Sequence, residues 1–224
     1  MAVSIIAFFS TFLVLTVFAI IVAVLKWKVT SGKIFTVHLL TKIIWFLGIF
    51  LTSFSSYNIV FTGAVLFVIG GWGLGYTMLL FFMLIYKGEE YFKKFLKYTF
   101  LFSVIYFLTF FVFKPFVLTP SGEGYYFKLT NYFFIPALLL SLSYYLVIIL
   151  FYYISTVKKG AEHNYYFLFA LGLLIHAIPA HTLVILEFVF GYPYMITNTE
   201  YTSLMGFSIA LYAFMFVNTR DARK

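Results

Sequence analysis

Apolar residues run along this chain in long blocks, and the polar residues gather in the short gaps between them. A helix needs about 20 mainly apolar residues to cross a bilayer. The blocks 3–25, 34–55, 58–86, 98–116, 132–154, 165–190 and 203–217 fit that requirement. The pattern predicts an all-α, multi-pass protein of the cell membrane: one domain, residues 1–224, folded as a seven-helix transmembrane bundle. No basic region precedes the first block and no small-residue cleavage site follows it. It ends in Lys26-Trp27-Lys28, so a retained helix is expected and not a signal peptide.

The placement of Lys and Arg predicts the orientation. The gaps after blocks one, three and five, with the tail, hold twelve basic residues: Lys26, Lys28, Lys33, Lys87, Lys93, Lys94, Lys97, Lys158, Lys159, Arg220, Arg223 and Lys224. The opposite gaps hold two, Lys114 and Lys128. This bias places the N-terminus outside and the C-terminus in the cytoplasm, which an odd number of spans requires. The formal charge of +8 is therefore accounted for by topology and anionic headgroups, and no nucleic-acid partner is expected. Tyr and Trp crowd the predicted boundaries, as an aromatic belt does.

Composition removes several chemistries. With 64% hydrophobic and 10% charged residues, the chain has no room for a separate soluble domain. There is no cysteine, hence no disulfide, thiolate metal site, iron–sulfur cluster or cysteine nucleophile. Glutamine is absent and asparagine scarce, a thinning of labile residues that points to a thermophile. No HExxH, Walker loop, GxSxG elbow or paired-aspartate motif occurs. Of seven acidic residues only Glu187 falls within a block, so two carboxylates buried together are not available. No catalytic motif marks the chain as an enzyme; at most it belongs to one as a non-catalytic or electron-transfer subunit.

Two features carry candidate function. The third block contains Gly70-Gly71-Trp72-Gly73-Leu74-Gly75. The pair Gly71 and Gly75 lets helix backbones approach closely, and Trp72 would wall such a contact. The expectation is helix packing or contact with a partner subunit, and four glycines in six residues also predict a bend.

The second feature is the set of ionisable residues inside the blocks: His38 and Lys42 in block two, and His176, His181 and Glu187 in block six. Charge at membrane depth is costly, so such residues are site candidates by default. Lys42 lies roughly 12 Å into its block and His176 roughly 16 Å into its own. His38 shares the face of Lys42, one turn away. Two imidazoles from different spans would suit a b-type haem, with His38 and His176 the better matched pair and His181 a further candidate. Lys42 would then meet a haem propionate or an anionic substrate. Neutral packing histidines, a metal on His176 and His181, and a proton relay stand as alternatives, as does a Lys42 near the inner interface. His163 falls in a gap, where solvation is expected.

The expected function is an integral subunit of a respiratory or other electron-transfer complex. It would bind haem b or quinone between helices two and six, or anchor other membrane subunits among the lipids. The alternatives are a small transporter or channel built around Lys42, and a sensor module with loops 114–131 and 191–202 over a ligand pocket. A retinal protein is disfavoured, because block seven has no lysine.

Overall fold

The computed structural model describes residues 5–122, 124–179 and 204–215. It is an all-α membrane protein, and the described residues include one small β-hairpin and five helices long and apolar enough to cross a bilayer. The spanning segments are Phe9–Lys26, Thr30–Leu51, Tyr57–Glu89, Leu96–Phe113 and Asn131–Val157. They belong to the helices α1 (Ile5–Lys26), α2 (Thr30–Leu51), α3 (Tyr57–Phe113) and α4 (Phe134–Val157). Two further helices follow, α5 (Gly160–Ala177) and the shorter apolar α6 (Leu204–Met215). The chain divides into two compact units, Met1–Pro136 and Ala137–Lys224.

In the first unit, α2 and the first arm of α3 form the packed centre. About half of each is buried, 44% and 50%, against 28% for α1 and 17% for the second arm of α3. The two helices run antiparallel in a single register. Phe35 meets Phe81 at 6.1 Å between ring centroids, and His38 meets Thr77 at 2.8 Å. Thr41 lies against Gly73, Trp45 against Gly70, Gly48 against Phe67 and Thr52 against Gly63. On each helix the partners recur every three or four residues, which puts them on one stripe. Glycines on that stripe let the backbones close up, the main route to helix association where lipid supplies no hydrophobic drive.

Block boundaries shift where local chemistry overrides polarity. Helix α2 begins at Thr30, four residues before the expected start, so Lys33 sits in its first turn. The expected gap between blocks three and four is helical, because Glu and Lys are good helix formers. The chain reverses at Gly88 alone, whose φ of +75° lies in the region glycine favours. The bend expected at Gly70–Gly75 does not occur: those residues remain helical, since their close neighbours fill the space. Beyond the reversal, Thr30 at the start of α2 donates a hydrogen bond to the Glu89 carboxylate. A negative group there complements the positive end of the helix.

Loop 114–131 is a hairpin and not an irregular segment. Strands β1 (Phe116–Ser121) and β2 (Gly124–Leu129) pair antiparallel, Phe116 opposite Leu129 and Ser121 opposite Gly124. Lys114, at φ +45°, ends α3 just before Pro115, which cannot continue a helix hydrogen-bond ladder. The hairpin docks on the turn between α2 and α3. The Tyr125 amide donates to the Ser55 carbonyl at 2.9 Å, and Phe127 packs edge-on to Phe67 at 5.7 Å. Gly124 is required here: a Cβ would stand 2.3 Å from the Ser55 oxygen.

In the second unit, α4, α5 and α6 pack through aromatic rings, with Phe151 stacked on Phe169 at 4.6 Å and Phe169 near Phe214 at 6.4 Å. Gly172 and Gly206 bring α5 and α6 together, a Cβ on Gly206 falling 2.5 Å from the His176 nitrogen. Helix α5 starts at Gly160, five residues before the expected block, and gives way to a π turn at Ile178 and Pro179. Proline lacks the amide that would continue the ladder. The block 203–217 is represented by the twelve residues of α6.

Candidate functional site

Helix α2 positions two of the candidate residues. His38 is fully buried and Lys42 is 7% exposed, both on the face turned into the protein. Because α2 begins at Thr30, Lys42 lies about 18 Å along a helix about 33 Å long, and His38 about 12 Å along it. Lys42 is thus central in its helix.

The imidazole of His38 has a defined orientation. Its Nδ1 is 2.8 Å from the Thr77 hydroxyl. That hydroxyl also lies 2.7 Å from the Gly73 carbonyl; a proton given there leaves it to accept from Nδ1–H. The ring stacks on Phe35 at 6.1 Å. Thr77 was not a candidate from sequence. A threonine in an apolar block gives no sign whether its hydroxyl serves its own helix or a neighbour.

His176, at 2% exposure, lies in the second unit. Its ring is 5.5 Å from Tyr144 and 5.5 Å from Phe207, the latter edge to face. His181 and Glu187 lie outside the described residues. Among the described residues no group of three His, Cys, Asp or Glu could hold a metal ion. His163, expected to be solvated, is half-buried. Its Nδ1 donates to the Ser155 carbonyl at 2.8 Å, which ties the start of α5 to the end of α4.

The glycine-rich stretch is used on two faces. Gly70 and Gly73 receive Trp45 and Thr41 of α2, whereas Gly71 lies beneath the Tyr106 hydroxyl of the second arm of α3. Gly75 is buried within the same helix. Trp72 donates its indole N–H to the Ser103 hydroxyl at 2.9 Å and lies 5.7 Å from the Phe107 ring. The stretch therefore packs helices of its own chain.

The first unit thus holds a buried imidazole and a buried amine, one turn apart, in an otherwise apolar helix pair. Such a site can bind an acceptor oxygen or an anion, ligate iron through one imidazole, or move a proton. Comparison with known proteins adds no relative: the chain matches no family model, no curated protein and no solved structure.

Proposed function

We propose that the protein is an integral subunit of a membrane electron-transfer complex, working beside other membrane subunits. In this reading its helices make seven spans of the cell membrane, with the N-terminus outside and the C-terminus in the cytoplasm. The observation that carries the reading is the His38–Thr77 hydrogen bond with Lys42 one turn away. Retaining an imidazole and an amine at this depth is costly unless function requires them.

A b-type haem would take His38 as a ligand, with Lys42 toward a propionate; bound there, it would supply one-electron chemistry. A quinone would use the same pair as hydrogen-bond donors to a carbonyl oxygen. The residues fit either group as donors. Thr77 fixes the His38 ring, and the surrounding aromatic side chains keep water out.

A dithionite-reduced minus oxidised visible spectrum of the natively produced protein tests this. A sharp b-type α-band that is lost in His38→Ala, with membrane insertion retained, supports haem. A flat spectrum together with an organic extract that contains no quinone rejects the electron-transfer reading. A transporter is the second reading, favoured by the central position of Lys42. Solute uptake by reconstituted vesicles that is lost in Lys42→Met would establish it.

A further inference from the structure

The second arm of α3 leaves an apolar groove against the first. Trp72 and Tyr76 line it on one side, and Phe100, Val104, Phe107 and Phe111 on the other, around a volume of about 570 Å³. It opens on the side away from the packed centre: Phe100 is 68% exposed and Phe111 is 79% exposed. The Trp72 indole and the Ser103 hydroxyl in its wall satisfy each other. From Phe100 to Phe111 the groove runs about 16 Å along the helix, close to one leaflet of a hydrocarbon core about 30 Å thick.

Charge follows beyond one end of the groove, one turn past it on the second arm and three turns past it on the first. Lys97 precedes Phe100 by one turn, and the positions 97, 100, 104, 107 and 111 share one stripe of the second arm. Lys87 is eleven residues beyond Tyr76, about three turns along the same face of the first arm. Both side chains are exposed and rest on interfacial rings, Lys87 at 4.4 Å from the Tyr86 centroid and Lys97 at 5.0 Å from that of Tyr98. Two cations above an apolar channel one leaflet long complement one kind of molecule.

We propose that this groove is a binding site for an anionic phospholipid, its phosphate between Lys87 and Lys97 and one acyl chain along Trp72 and residues 100–111. Basic pockets beside spanning helices select anionic headgroups in this way. The site is independent of the electron-transfer reading and needs only that the helices cross a membrane.

The test reconstitutes the full chain in phosphatidylcholine vesicles containing a small fraction of phosphatidylglycerol with a photoreactive acyl chain. A parallel sample carries the same chain on phosphatidylcholine, and labelled peptides are mapped by mass spectrometry. The expected result is labelling of the segments around 72–76 and 100–111 that favours phosphatidylglycerol. Lys87→Gln and Lys97→Gln should each reduce that preference about five-fold. Equal labelling by the two headgroups in the unaltered protein overturns the proposal. So does labelling abolished by excess inorganic phosphate, which would assign the lysines to a free anion. Groove residues that escape both lipids while cross-linking to a second polypeptide would overturn it in favour of a protein occupant.

Discussion

Gly70 of α3 lies against the backbone of Trp45 of α2, so close that a Cβ on Gly70 would stand 2.4 Å from the Trp45 Cα. Backbone faces backbone here, and no flexible side chain can yield. Gly48 repeats the relation about one turn further along α2, where a Cβ would fall 2.4 Å from the Phe67 nitrogen. The two contacts fix how closely α2 and α3 approach, and with it the position of His38 opposite Thr77.

Gly70→Ala should therefore force the helices apart and cost about 1–3 kcal/mol, the range for overpacking. Gly48→Ala should do the same. Thermal unfolding in detergent checks this. An unchanged midpoint in both variants would mean that the helix pair is not packed in this register.

Gly88 behaves differently, because nothing lies within 4 Å of a Cβ placed there. The penalty of Gly88→Ala is purely one of backbone conformation, about 1–3 kcal/mol, because φ +75° with ψ 176° is open essentially to glycine alone. Gly88→Asn should cost as much, since asparagine tolerates positive φ in the left-handed helical well and not at a ψ of 176°. A similar drop in unfolding midpoint for both variants is the expected result.

Thr77→Val keeps the shape of the side chain and removes the acceptor for His38 Nδ1–H. Loss of a buried hydrogen bond costs about 1 kcal/mol, and measured values between membrane helices average about 0.6. Nitrogen-15 shifts of the His38 ring should show Nδ1–H hydrogen-bonded in the parent protein and altered in the variant. Identical spectra would remove Thr77 from the site.

The absence of cysteine makes topology directly measurable. With the N-terminus outside, Lys28→Cys and Lys158→Cys should react with an impermeant maleimide only from the cytoplasmic side. Tyr126→Cys in the hairpin should react only from outside. Labelling of Lys28→Cys and Tyr126→Cys from the same side would contradict the alternation of spans.

Much of the spanning pattern is legible in the order of residues, because a stretch that enters lipid must be apolar throughout. That requirement marks out the segments which fold as α1 to α4. It also singles out His38, Lys42 and His176 as residues whose cost at depth calls for a reason. Boundaries are less legible. Charged Lys33 reads as loop, yet it occupies the first turn of α2, and the charged stretch after Gly88 is helix. The hairpin has local signals in Pro120, Gly122 and Gly124, but its place against Ser55 depends on a contact far away in the chain.

Composition and order of residues by themselves determined that this is a helical membrane protein whose basic residues gather at the gaps between apolar blocks. Tertiary structure decided which face of each helix meets protein. In water the buried face declares itself by being apolar; in a bilayer the lipid-facing residues are equally apolar, so polarity carries no such record. The Phe111 that lines the lipid-facing groove and the Phe81 buried against Phe35 are the same residue type in equally apolar surroundings. Only the register set by Gly48, Gly63, Gly70 and Gly73 separates them, and the same register places Thr77 on the imidazole of His38.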